Sequence, residues 1–351
     1  KNFKGGGTMK KMLTFLILAV FVLSFLVFWK GAEGASEGKL INGAGATFPY
    51  PLYSAWASDY HKATGVKINY QPIGSGGGIR QITERTVDFG ASDMPLKPEE
   101  IEKKKLLQFP TVIGGVVIAY NLPEIGNKRL VLDGETLCKI YLGEIKTWND
   151  PQIKALNPKL NLPYKPITPV YRSDGSGTTS IFTHYLSDVC PKWAKEIGSG
   201  TSVNFRAGIG AKGNEGVANY VKRTPYSLGY VEYAYALQNK IMVSDLKNRK
   251  GKVVSPTPES FKEAAKTSDL RAEKHFYAWM TNAEGEKAWP IVGATYILLA
   301  KERPQINKQV IKFFDWAYKN GDQRALELYY IPLPAEVKAK IREYWKAHGI
   351  Y

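Results

Sequence analysis

The chain has 351 residues, enough for two bodies of ordinary domain size, each with its own core. Hydrophobic residues make up 44% and aromatics 12%, which excludes a disordered polymer. The formal net charge of +16 fits a solvated basic surface, an anionic membrane or a small anionic ligand. No Arg-rich helix or aromatic RNA-binding signature favours nucleic acid.

In chain order, Lys10-Lys11 precede an apolar run from Met12 to Trp29, and small residues follow at Gly31, Ala32, Gly34 and Ala35. This order reads as a secretory signal, with a retained membrane anchor as the alternative. Residues Lys1 to Thr8 precede a start at Met9 in that reading. After a Gly/Ala/Ser linker the pattern alternates. Lys39 to Asn42 predicts a short strand, and Pro49 opens a helix with Leu52, Trp56 and Tyr60 on one face. Val66, Ile68 and Tyr70 alternate as a strand. Gly74 to Gly78 reads as a turn before a short helix through Ile79 and Ile82, and Val87 to Ala91 as a strand ending at Ser92-Asp93. Asp133 caps a helix through Leu137, Ile140 and Tyr141. Ile167 to Tyr171 and Leu228 to Tyr233 read as strands, and Gly213-Asn214-Glu215 opens a helix. Ile291 to Ala300 is an apolar run that reads as a buried strand. The stripes Val310, Phe313, Phe314, Ala317 and Val337, Ile341, Trp345 read as helix cores. Strand, loop and helix in alternation predict an α/β fold, with ligands beyond the carboxyl ends of strands.

The segment Tyr171 to Thr179 carries an arginine, hydroxyls and glycine-spaced amides just before an amphipathic run. The first amides of a helix lack internal partners and sit at the positive end of its dipole. Glycines let an anion reach the backbone. Such a loop suits a small tetrahedral oxyanion. Each residue also has a plainer reading. Arg172 with Asp174 is an ordinary exposed pair, Thr47 an N-cap, Asp93 a cap for the helix near Pro98, and Gly74 to Gly78 a flexible turn. Phosphate chemistry by an enzyme lacks support: His61, His184, His275 and His348 have no metal-ligand spacing, there is no P-loop, and neither Ser75 nor Ser176 sits in a nucleophile elbow. Cys138 and Cys190 are too far apart for a zinc site and are either a disulfide or two buried thiols.

Four segments together resemble the substrate-binding proteins of phosphate ABC transporters: Gly43 to Pro49, Gly74 to Gly78, Val87 to Asp93, and Arg172 to Thr178. Leu142 to Trp148, Gly213 to Ala218, Leu228 to Tyr233 and Phe313 to Ala317 agree with it. The resemblance implies a two-lobed periplasmic-binding-protein fold of type II, each lobe a mixed sheet flanked by helices. One lobe combines 39–118 with 292–351, the other takes 119–291, and 1–38 is the leader and linker. It implies phosphate held in the interlobe cleft by Thr47, Phe48, Ser75, Asp93, Arg172, Ser176, Gly177 and Thr178, with Asp174 orienting Arg172. It implies a binding protein and no enzyme, no metal or other cofactor, and a monomer that binds no nucleic acid. Its partners are inorganic phosphate and an ABC permease at the outer face of the cytoplasmic membrane or in the periplasm. A binder of sulfate or molybdate, or a surface scavenging protein, remains the alternative, and Asp93 separates the oxyanions because phosphate carries a proton to donate and sulfate does not. Gly76 departs from the family, where a second serine is common, as do Ser173 and the cysteines.

Overall fold

The computed structural model describes residues 40–351. The leader expected over 1–38 lies outside the described residues. Among the described residues no helix is long and apolar enough to cross a membrane.

The first half begins with β1 (Leu40–Gly45), α1 (Tyr50–Thr64), β2 (Lys67–Pro72), α2 (Ser75–Thr83) and β3 (Phe89–Ser92). β2 and β3 flank β1 and run parallel to it. Helix α1 buries Leu52, Trp56 and Tyr60, as their spacing predicts, and stops at Gly65 with φ 75°. The glycine run departs from its reading as a turn, because Gly76, Gly77 and Gly78 lie inside α2. Each costs about 1 kcal/mol of helix propensity, and packing recovers it. A Cβ on Gly78 would lie 2.6 Å from the Gly45 Cα and 2.7 Å from the Ala91 carbonyl oxygen. The missing side chains let α2 sit directly on β1 and β3.

The strand β4 (Leu106–Tyr120) is buried along its whole length and is absent from the sequence reading. Its sequence, with Pro110, Gly114 and Gly115, obscures it, since proline and adjacent glycines normally argue against a central strand. The structure accommodates each. The β12 strand (Val292–Ala300) pairs antiparallel with β4, and their register shifts between Thr295 and Tyr296, opposite Pro110. The glycines clear room for rings: a Cβ on Gly114 would meet Phe48, and one on Gly115 would meet Phe261.

The later part of β4, Val116 to Tyr120, pairs antiparallel with β8 (Ser227–Glu232). Beyond β8 lie β6 (Thr168–Arg172) and β7 (Ile209–Ala211), parallel to one another, with β6 also parallel to β8. The sheet order is β2-β1-β3-β12-β4-β8-β6-β7. Two short strands, β9 (Met242–Val243) and β13 (Ile331–Pro332), also pair with β4. A small separate sheet holds β5 (Val131–Leu132), β10 (Asp245–Lys247) and β11 (Val253–Val254). One strand thus runs through two half-sheets of mixed direction, flanked by α3 (Gly134–Tyr141), α4 (Gly177–Val189), α5 (Gly213–Arg223), α6 (Pro304–Asn320) and α7 (Ala335–Ala347). Asp133 caps α3 by accepting from the Thr136 amide at 2.8 Å. The α6 and α7 stripes are buried as read. His61 is exposed, and His348 is half-buried with its ring edge-on to Tyr344.

The two cysteines form a disulfide, Cys138 to Cys190, which ties α3 to the end of α4 across a sequence separation of 52. Closing a loop of that length stabilises by about 4 kcal/mol on the chain-entropy account. Cys138→Ser is expected to lower the unfolding free energy measured in urea by that amount, and so the midpoint, with a slope equal to or steeper than the parent's because the unlinked chain expands further; reductant should do the same to the unsubstituted protein but nothing further to the variant. An unchanged midpoint would show that the link constrains nothing in the unfolded chain.

Candidate functional site

Every candidate residue lies in a loop after a strand or at a helix start. Thr47 and Phe48 follow β1, Ser75 begins α2, and Asp93 follows β3. From the other half-sheet, Arg172 ends β6, Ser176 is the N-cap of α4, and Gly177 and Thr178 form its first turn. All are buried, with Ser75 and Ser176 fully inaccessible. The structure brings the two sets together. A Cβ on Gly177 would lie 2.3 Å from Ser75 Oγ and 2.5 Å from Asp93 Oδ2, so the α4 start abuts the Ser75–Asp93 pair with no space for a side chain. The Gly76 amide donates to the Gly175 carbonyl at 2.9 Å, a backbone bond between the half-sheets.

The plainer readings of Thr47 and Asp93 do not hold. Pro49 occupies the N-cap of α1, and the Thr47 hydroxyl is not used there. The helix Pro98–Lys104 is capped at Lys97, while Asp93 faces inward and accepts from the Thr295 hydroxyl at 2.7 Å. Thr295 stands beside the β4–β12 register shift, which accounts for its aim at Asp93.

The proton accounting of the hydroxyls is directional. Ser75 Oγ accepts from the Asp93 amide at 3.1 Å, and Ser176 Oγ accepts from the Thr179 amide at 2.9 Å. Asn214 Nδ2 donates to both Thr47 Oγ1, at 2.8 Å, and Thr178 Oγ1, at 2.9 Å, and the Asn214 amide also reaches Thr47 Oγ1 at 3.2 Å. Each of the four hydroxyls therefore already accepts from the protein, and its own proton is left to donate elsewhere. Asn214 keeps this orientation because its Oδ1 accepts from the Glu232 amide at 2.8 Å. The Tyr235 hydroxyl donates to the Thr47 carbonyl at 2.5 Å. Carbonyl and N–H of one trans peptide point opposite ways, so that bond fixes the direction of the Phe48 amide.

Arg172 is held by Asp174 through a two-pronged pairing, Nε to Oδ1 at 2.7 Å and Nη2 to Oδ2 at 2.6 Å. Its Nη1 is buried and has no hydrogen-bond partner among the described residues. An unpaired guanidinium N–H in such a place costs free energy unless an acceptor joins it. Burial pushes Asp174 up, but the Arg172 bonds and charge and the Gly213 amide outweigh it and hold Asp174 below the ordinary aspartate value. Asp93 goes the other way. Burial raises it to about 7, against the lowering influence of Thr295, Arg172 and Ser75. The arrangement thus offers four hydroxyl donors, a guanidinium N–H and the unpaired amides of the α4 start, set against one carboxyl of near-neutral pKa. Among the described residues no cluster of three or more His, Cys, Asp or Glu could hold a metal.

Asn214, Thr295, Tyr235 and Glu232 escaped the sequence reading. Asn214 was visible only as part of a helix start, where asparagine ordinarily caps. Thr295 sits inside an apolar run, Glu232 lies in a segment that reads as strand, and Tyr235 falls just beyond it.

Comparison with known proteins gives a consistent picture. The PBP superfamily domain matches residues 30–320. The phosphate-binding protein PstS of Haemophilus influenzae is 50% identical over 92% of this chain and 97% of its own length. Among solved structures, a high-affinity periplasmic phosphate-binding protein with phosphate bound superposes with a TM-score of 0.67 at 22% identity, over 86% of this chain and 93% of that one. An ABC-type phosphate transport receptor from Vibrio cholerae superposes with a TM-score of 0.54 at 17% identity, over 84% of this chain and all of that one. The fold is that of the type II periplasmic binding proteins, and the chain belongs to the phosphate-binding protein family of the PBP superfamily.

Proposed function

We propose that this protein captures inorganic phosphate outside the cytoplasm and delivers it, unchanged, to an ABC transporter permease. The observation that carries the reading is the donor polarity of the cleft, in which four hydroxyls that already accept from the protein and Arg172 Nη1 have hydrogens left to donate, and Asp93 is the one carboxyl set among them. Thr47, Phe48, Ser75 and Asp93 grip the ligand from one lobe, 39–118 with 292–351. Arg172, Ser176, Gly177 and Thr178 grip it from the other, 119–291, and Asp174 holds Arg172 in place. Because the ligand bonds both lobes, it favours the closed form over the open one, and hinge closure follows from that difference in affinity. The Gly76–Gly175 bond joins the two lobes directly, backbone to backbone. The residues supply no nucleophile with its base, so the ligand leaves as it entered.

Asp93 sets selectivity. Phosphate donates a proton to it as monoanion or dianion, whereas sulfate would press a bare charge on a buried carboxylate. A site built around such a bond rejects an analogue lacking the donor by about 10⁴–10⁵. Calorimetric titration should show one phosphate per chain, arsenate competing, sulfate excluded, and no phosphate ester turned over. In Asp93→Asn, sulfate should bind at least about a hundredfold better than to the parent. Equal exclusion of sulfate by both proteins would overturn this account of selectivity.

The raised Asp93 value also fixes a pH dependence. Between the ordinary aspartate value and about 7 the folded state holds a proton that the unfolded chain releases. Stability of the ligand-free protein therefore falls as pH rises through that window, then levels off. Thermal melts across it should fall more steeply for the parent than for Asp93→Asn, which keeps only the contribution of other raised carboxyls such as Glu232, and parallel curves for the two proteins would refute it. Gly177→Ala tests closure. Its Cβ would lie 2.3 Å from Ser75 Oγ, and an overpacking cost of about 1–3 kcal/mol falls on the closed form. Phosphate affinity should drop about ten- to a hundredfold with the melting temperature of the ligand-free protein held or raised, and unchanged affinity would show that the two surfaces need not meet.

A further inference from the structure

Glu232 ends β8 and caps the short helix Tyr233–Gln238, with Oε2 accepting from the Ala234 amide at 2.9 Å. Its side chain is fully buried, and among the described residues it has no basic partner. The phenol of Tyr330 resolves its protonation state. Tyr330 Oη stands 2.6 Å from the Phe48 carbonyl oxygen and 3.1 Å from Glu232 Oε2. A phenol has one proton, and a carbonyl can only accept. The proton therefore belongs to the Phe48 contact. The remaining contact would bring two lone pairs together unless Glu232 supplies a hydrogen. Oε1 is buried with no partner among the described residues, which suits the carbonyl oxygen of a neutral acid and not half of a carboxylate.

We propose that Glu232 is protonated in the native protein and, as a hydrogen-bond donor to Tyr330, positions the anion site from behind. This rests on the phosphate-binding reading above. The titratable groups facing Glu232 are Tyr330 from the segment before β13, Tyr233 and Tyr235 from its own helix, and Asp93 after β3. None is a cation. Burial raises its pKa well above the ordinary glutamate value, the Ala234 amide and Tyr330 pull it down less, and the Asp93 charge raises it further. Two carboxyls near one anion site favour an anion most when at least one is neutral; both are buried, and Asp93 is the one that Arg172 pulls down.

The consequence runs to both sides of the cleft. The acid proton on Tyr330 leaves the phenol free to hold the Phe48 carbonyl. The Glu232 main-chain amide holds Asn214 with its Nδ2 toward Thr47 and Thr178. Ionisation would reverse the first bond, draw the phenol proton to the carboxylate and release Phe48. Glutamine does not reproduce the acid, because one hydroxyl oxygen can both accept from Ala234 and donate to Tyr330, whereas neither oxygen nor nitrogen of an amide does both.

Infrared spectroscopy of the full chain tests this directly. In an Asp93→Asn background at mildly alkaline pH, the carbonyl stretch of a protonated carboxylic acid should be present, vanish in Glu232→Gln, and shift in Tyr330→Phe. A band that persists in Glu232→Gln, or is missing from the parent, shows Glu232 ionised and ends the proposal. Phosphate titration supplies the positioning readout. Glu232→Gln and Tyr330→Phe should each weaken binding about tenfold, with the double variant no weaker than either single one. With Glu232 intact, affinity should fall more steeply with rising alkalinity than in the Gln variant, which keeps only the dependence set by Asp93 and the ligand. Additive losses, or identical pH profiles, would overturn the positioning role. Should phosphate fail to bind the unsubstituted protein, the phosphate reading falls, while the infrared result still decides the state of Glu232.

Discussion

The site depends on which atom of each hydroxyl is already spoken for. Ser75, Ser176, Thr47 and Thr178 could each accept or donate in principle, and an undecided set would serve an anion or a cation equally. Main-chain amides and Asn214 already donate to each of them, so each hydroxyl has its proton left over. The closed arrangement is therefore biased toward donation by fixed protein groups, which is the condition for strong electrostatic recognition in a dry place. Arg172 follows the same logic, since Asp174 takes two of its donors and leaves the third aimed.

Against that uniform polarity one acceptor stands out. Asp93 is buried on the same floor and is held by Thr295 and by proximity to Ser75. Burial raises its pKa to about 7, against Thr295, Arg172 and Ser75. Glu232 is a second buried carboxyl in the same region, and its neutrality keeps the local charge balance in favour of an incoming anion.

Much of this was legible in the residues because it is local. Amphipathic spacing placed α1, α6 and α7, the Asp133 cap placed α3, and the glycine-spaced hydroxyl loop before α4 pointed to an oxyanion. What stayed hidden is what tertiary contact decides. The glycines of α2 read as a turn, because their packing against Gly45 and Gly175 comes from remote strands. β4 was invisible because Pro110 is tolerated only through a register shift in a partner nearly two hundred residues away in sequence, at Thr295. Thr295 and Asn214 carry no local mark of their task, since each is defined by the side chain it reaches across the fold. The cysteine pair was undecidable from spacing, and the coordinates bring the sulfurs together.

The strand β4 belongs to both half-sheets, pairing with β12 along its first part and with β8 along its last. Neither half possesses a complete sheet without it. The two jaws of the receptor are consequently not interchangeable modules: a recombination event that swapped one for a foreign counterpart would cut a continuous ladder.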